Sequence, residues 1–239
     1  MNPIKKVFHK QKEKRFNRAL KDHRKQLSLE INNLLDATVC YGPFKGLKLA
    51  SDIWWGKGDR ASMLLGLYEK ELLQKIVDVP RSFNQFLDIG AADGYYAVGV
   101  LVSGIFERSV CFEISEKGRS VIQKNALLNS VDQKIQIFEK ADDFFYQKLP
   151  EDLLKNTLVL IDIEGAEFNL LSDNALNALK NNIIIVELHT AHPFSETDAD
   201  NLKTRAAKYF NISEFTTGAR DLSPYPFLKD YSDTDRWLI

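Results

Sequence analysis

The chain has 239 residues, 44% hydrophobic and 27% charged, with a formal net charge of −1. That balance excludes a disordered or fibrous protein and suits one α/β domain with an N-terminal extension. Cys40 and Cys111 are the only cysteines, so neither a disulfide framework nor a cysteine metal motif is present. The N-terminus is charged and lacks the apolar run of a signal peptide. The longest nearly apolar stretch, Tyr95 to Phe106, is too short to cross a bilayer. A cytoplasmic protein is expected.

The small net charge hides an asymmetry. Residues 1–26 carry ten Lys/Arg and two acids, a net +8, which leaves −9 on the remainder. Apolar residues recur there at helical spacing, as in Phe16, Leu20, Leu27 and Ile31. Residues 1–40 therefore read as a basic helical extension. Such a helix can pack on its own domain or a second subunit, rest on an anionic membrane through residues 1–26, or bind nucleic acid. No base-stacking aromatic motif accompanies it, so no nucleic-acid partner is expected.

Residues 41–80 read as a loop and helix preceding the core, starting at the turn-rich Tyr41–Gly46. Between Ser51 and Gly58 lie Trp54 and Trp55, which could form a lid or a sugar-stacking platform. Burial of at least one is the stronger expectation, because tryptophan is usually mostly buried. Arg60 follows without an evident role. Ser62 to Val77 has the spacing of one helix, ended by Pro80.

From residue 81 to 239 short apolar runs alternate with helical segments. The runs are Phe86–Asp88, Val110–Glu113, Ile135–Phe138, Leu158–Asp162 and Ile183–Leu188. Helices are expected at Tyr95–Val102, Glu116–Asn129, Asn169–Lys180 and Asp198–Tyr209. Ile212–Thr217 and Arg236–Ile239 look like closing strands. The pattern predicts a doubly wound, mostly parallel, Rossmann-like α/β sheet.

The first run continues as Asp88-Ile89-Gly90-Ala91-Ala92-Asp93-Gly94 and then a helix. Gly90 and Gly94 would let a ligand approach bare backbone. The dinucleotide fingerprint needs a middle glycine, and Ala92 stands in its place. The acid Asp88 suits a cationic or hydroxyl-bearing partner, which favours S-adenosylmethionine (SAM) over a dinucleotide. The remaining runs also end in polar groups. Glu113 is placed to accept the ribose hydroxyls of a nucleoside, and Lys140-Ala141-Asp142-Asp143 lies where an adenine edge would. Asp162 precedes Ile163-Glu164-Gly165-Ala166-Glu167. The fifth run ends in Glu187-Leu188-His189, with His192 beyond.

Several strings together resemble the FkbM-type SAM-dependent methyltransferases. They are Leu87-Asp88-Ile89-Gly90-Ala91 with Gly94, Phe112-Glu113 with Asn125 and Leu128-Asn129, Ile161-Asp162-Ile163-Glu164-Gly165-Ala166-Glu167, and Ile185-Val186-Glu187-Leu188-His189. Gly66-Leu67-Tyr68-Glu69 upstream is similar too. The chain departs from the family pattern at Ala92, Ile114 and Leu160, where Asn, Pro and Lys are frequent. The resemblance implies the class I methyltransferase fold and O-methylation of a sugar or another small polar molecule. The implied cofactor residues are Glu69, Asp88, Gly90, Ala91, Gly94, Glu113, Ile114, Ala141, Asp142 and Asp162.

Methyl transfer to an alcohol needs alignment and removal of a proton. His189 is the first candidate for the base, because imidazole titrates near neutral pH. Asp162 and Glu164 are the other catalytic candidates, and Glu167 reads as a helix cap. A rival mechanism places a divalent metal on Asp162, Glu187 and His189. A nicotinamide-dependent oxidoreductase and a non-catalytic SAM-binding protein are the alternative functions. Acceptor specificity would come from the loops around Trp54, His192 and Pro224-Tyr225-Pro226.

Overall fold

The computed structural model describes residues 3–191 and 193–239, with residues 3–11 described as backbone only. Five strands form one sheet: β1 Gln85–Ile89, β2 Arg108–Phe112, β3 Ile135–Phe138, β4 Lys155–Ile161 and β5 Asn181–Val186. All pairs are parallel, in the order β3-β2-β1-β4-β5. This is the expected doubly wound α/β architecture.

A parallel sheet is buried on both faces, and the strand residues divide accordingly. Phe86 joins Cys111, Leu158 and Leu160 in one core, whereas Leu87 and Ile89 join Val110, Val159 and Ile161 in the other. The first core is covered by α1 (Pro3–Leu34), α2 (Arg60–Leu64), α3 (Lys70–Val77), α4 (Tyr95–Val102) and α5 (Glu116–Leu128). The second is covered by α6 (Glu167–Leu170), α7 (Asp173–Ala178) and α8 (Glu196–Ala206). Leu27 and Ile31 of α1 are buried in the first core, while residues 12–19 of the same helix are all exposed.

The two closing strands are absent. Residues 212–217 have no regular structure and are exposed, and Asp233–Leu238 forms a short helix, α9. Ser232 caps that helix by accepting a hydrogen bond from the Asp235 backbone N–H, and Asp233 and Asp235 suit its first turn. These local signals outweigh a short apolar alternation.

Two expected helices are interrupted. Between α2 and α3 the chain turns through Gly66 and Glu69, both with positive φ. A Cβ on Gly66 would lie 2.4 Å from the Tyr41 carbonyl oxygen. Between α6 and α7, Ser172 starts a new helix by capping the Ala175 N–H. The apolar spacing runs across both breaks, so the hydrophobic pattern alone does not reveal them.

From β1 the chain winds outward to β2 and β3, then returns to the other side of β1 as β4. Ligands of such sheets bind where the winding reverses, at the strand C-termini. Gly90 sits at that point with φ +98°, and a Cβ there would stand 1.8 Å from the Asp162 carbonyl oxygen. Gly90→Ala should therefore destabilise the fold by about 3 kcal/mol or more, from backbone strain plus overpacking. Urea denaturation checks this, and an unchanged midpoint would contradict the close approach.

Candidate active site

The turn after β1 is built by the chain on itself. The N–H groups of Gly90 and Ala91 both donate to the Phe112 carbonyl at the end of β2. Gly94 begins α4 with φ +78°, and a Cβ there would press on Ile122 at 3.1 Å. Both glycines thus have an internal packing reason besides any ligand. Ala92 also takes a positive φ, held by the buried Glu113, whose Oε2 accepts its N–H at 2.8 Å. Glu113 Oε1 accepts the Ser115 N–H at 2.7 Å. Each oxygen has a further lone pair for a hydroxyl donor.

Asp88 is 2% exposed, and its Oδ2 has no hydrogen-bond partner. Burial, followed by the Asp162 charge, pushes its pKa up to about 8. Asp162 leads off the end of β4, and its Oδ1 is likewise buried and unpartnered. Burial, then Glu187 and Glu69, raise the Asp162 pKa to about 7, although His189 acts against them. Glu69 is itself largely buried, accepts the Tyr96 hydroxyl, and has a raised pKa chiefly from desolvation. Carboxylates from four segments thus converge beside the β1 and β4 tips. Leu160, where the family often has Lys, is buried in the first core.

His189 closes this group at the end of β5. Its Nδ1 lies 3.3 Å from Glu167 Oε1, which also accepts the His189 backbone N–H at 2.8 Å. Glu167 Oε2 accepts the Gly165 N–H at 2.8 Å, and the side chain is fully buried. Glu167 is therefore not the side-chain cap expected of it: it is the first residue of α6, and its carboxylate grips the preceding turn and the histidine. His189 Nε2 faces Glu164 at 3.5 Å, Asp162 at 3.7 Å and Glu187 at 3.9 Å. Burial alone would lower the His189 pKa, but Glu167, Glu187, Asp162 and Glu164 together raise it above 6.5. For a metal, the set that converges is Asp162, Glu164 and His189, with ligand atoms within 4.8 Å of one another. Glu187, in the expected metal set, gives way to Glu164.

On the other side of the turn, Ile114 is 70% exposed beyond Glu113. Ala141 and Asp142 follow β3, where Asp142 accepts the Phe144 N–H and pairs with Lys148. His192 lies outside the described residues. Neither tryptophan is buried as expected: Trp54 and Trp55 are 39% and 48% exposed. Their backbone N–H groups, rather than their rings, anchor the loop, donating to Asp93 at 3.1 and 3.0 Å. Burial raises the Asp93 pKa to about 6. Asn125 reinforces this link by donating to the Asp93 carbonyl and accepting the Ala50 N–H, both at 2.7 Å. Arg60 is a buried strut that donates to Asn32 and to the Ala50 carbonyl.

The family model described as the Methyltransferase FkbM domain matches residues 142–210. That match covers 69 of the 239 residues. The matched FkbM segment contains Asp162, Glu164, Glu167, Glu187 and His189; Glu69, the glycine turn and Glu113 precede it. No curated protein matches the chain. Among solved structures, the ribosomal protein L11 methylase of Lactobacillus delbrueckii subsp. bulgaricus is 15% identical, with 73% of this chain and 80% of that one covered and a TM-score of 0.44. An RNA methyltransferase from Salinibacter ruber, solved with S-adenosylhomocysteine, is 17% identical, with 50% and 72% covered and a TM-score of 0.37. Sp1610 of Streptococcus pneumoniae, a candidate tRNA (m1A22) methyltransferase, is 17% identical, with 48% and 51% covered and a TM-score of 0.38. The chain thus spans about half the length of Sp1610. Similarities this low carry no information on substrate.

The raised carboxyl groups predict how stability varies with pH. Asp93, Asp162 and Asp88 hold protons up to about 6, 7 and 8, whereas their ordinary value is 3.8. Between those limits the folded chain binds protons that the unfolded chain has lost. Stability therefore falls as pH rises through the window. Asp88→Asn should flatten the decline and stabilise the protein by roughly 1–3 kcal/mol at pH 8, with little effect near pH 4. Thermal denaturation across pH checks this; equal slopes in both proteins would clear Asp88 of the effect.

Proposed function

We propose that the protein is a SAM-dependent methyltransferase that methylates a hydroxyl on a sugar, glycan or other small polar acceptor. The FkbM-type match supports the class of reaction. The observation that carries the reading is the group at the β4 and β5 tips, where Glu167 holds His189 with Nε2 toward Asp162 and Glu164.

The residues fit the cofactor. Asp88 and Asp162 each keep a buried carboxylate oxygen without a partner, which suits a ligand bearing an ammonium and a sulfonium. Glu113 offers spare lone pairs to ribose hydroxyls, and the exposed Ile114 with Ala141 and Asp142 would border the adenine. When bound, SAM supplies a methyl group on a cationic sulfur that departs as a neutral thioether. The chain then has to orient an acceptor oxygen and take its proton. With Nδ1–H donated to Glu167, the neutral His189 ring presents the Nε2 lone pair to that proton. Asp162 and Glu164 flank the same nitrogen and would orient the acceptor's hydroxyls. A second reading places a divalent cation on Asp162, Glu164 and His189, favoured by the convergence of their ligand atoms.

A screen of sugar and glycolipid acceptors with labelled SAM supplies the assay. His189→Ala should lower turnover by about 10²–10⁴-fold with SAM affinity retained. In the parent, the rate should rise with pH through a pKa above 6.5, because the neutral imidazole is the active form. Chelator should have no effect. Loss of turnover on chelation, restored by Mg²⁺ or Mn²⁺, would move the role to a metal. By calorimetry, Asp88→Asn and Glu113→Gln should each weaken SAM binding by about tenfold or more. Parental SAM affinity in both, or preferential binding of NAD, would remove the cofactor assignment.

A further inference from the structure

We propose that the basic arm of α1 and the Trp54–Trp55 loop together form a docking surface for an anionic lipid bilayer. Residues 12–25 contain seven Lys/Arg against Glu13 and Asp22. Among them Lys12, Lys14, Arg15, Arg18, Lys21 and Lys25 are exposed. Phe16, on the stripe that continues to Leu20, Leu27 and Ile31, has 62% of its surface exposed. Asp22 reaches only Arg18, at 3.9 Å, in a solvent-exposed pair that neutralises little of the field.

The tryptophan loop is joined to this helix. Arg24 pairs with Asp59, and the Ser28 hydroxyl donates to the Gly58 carbonyl at 2.8 Å. The Arg24 stem also packs on Gly58, where a Cβ would lie 3.4 Å from Arg24 Cδ. Leu27 and Ile31 fix the following turns of α1 in the core. The base of the arm is therefore fixed to the domain, and the tryptophan loop with it. Trp54 and Trp55 project half-exposed from the attached loop.

Basic residues beside amphipathic aromatic rings suit a bilayer interface, where lysine and arginine meet headgroups and tryptophan settles at their level. Charge elsewhere favours lipid over nucleic acid. The mouth of the candidate site carries the partly exposed Asp162, Glu164 and Glu187 around His189. A phosphate backbone led from the arm into that mouth would meet like charge at its end. A bilayer keeps its phosphates on the arm and offers the mouth a protruding, hydroxyl-rich headgroup.

The full chain should co-sediment with vesicles of phosphatidylcholine and phosphatidylglycerol, but not of phosphatidylcholine alone, and high salt should release it. Each basic residue near such a surface strengthens binding about fivefold. The triple change Lys14→Glu, Arg15→Glu and Arg18→Glu should therefore weaken binding by more than about tenfold, with SAM affinity unaltered as a control of folding. In a Trp237→Phe background, the emission of Trp54 and Trp55 should shift to the blue on anionic vesicles. Trp54→Ala with Trp55→Ala should weaken binding while leaving its salt dependence in place. Vesicle binding without methyl transfer would leave the proposal standing, since the two readings are independent. Failure of the full chain to bind anionic vesicles would overturn it, as would parental binding by the charge-reversed variant. It would also fall if the arm preferred a single-stranded or duplex oligonucleotide to vesicles at equal salt, or drove self-association instead.

Discussion

The tips of β1 and β4 meet backbone to backbone, and the rest of the site depends on that contact. The Asp162 carbonyl occupies the space where any side chain at position 90 would stand. Because Gly90 admits it, Asp162 comes next to Asp88 across the point where the winding of the sheet reverses. Hydrogen bonds from Gly90 and Ala91 to Phe112 bring the β2 tip, and with it Glu113, to the same place. One missing Cβ and two backbone hydrogen bonds therefore bring three acids from three strand ends together.

Such a gathering is costly by itself. Asp88 and Asp162 have desolvated oxygens without hydrogen-bond partners, and after burial itself the Asp162 charge raises the Asp88 pKa further. Glu167 is the counter-example. It is equally inaccessible, yet both of its oxygens receive backbone N–H groups. Satisfied acids serve as scaffold and unsatisfied acids are left for a ligand. The contrast separates the acid that holds His189 from the two that the proposed cofactor would engage.

The sheet was legible because alternation and apolar runs are direct consequences of burial on two faces, and the polar strand ends stood out against them. Helix breaks were not, since Leu65, Tyr68 and Leu72 keep a helical spacing across a turn made by Gly66 and Glu69. The C-terminal strands were misread because a few apolar residues do not outweigh a serine cap. Glu167 was visible only as a cap, and its hold on His189 needs a contact over 22 residues. The roles of Asp93 and Arg60 left no pattern, since Asp93 acts on backbone groups that any residue supplies and Arg60 on the Ala50 carbonyl and the distant Asn32 side chain. The same fact explains the tryptophans: amides anchor their loop, so composition overstated the burial of their rings.

Asp93 lies inside the glycine turn but spends its carboxylate on the backbone of another segment. Loop and turn consequently share a single balance of free energy. Anything that tightens one must tighten the other by the same factor, because linkage between two sites is reciprocal. The turn's occupancy and the loop's order become two readings of one equilibrium, transmitted through a single acid whose pKa is near 6.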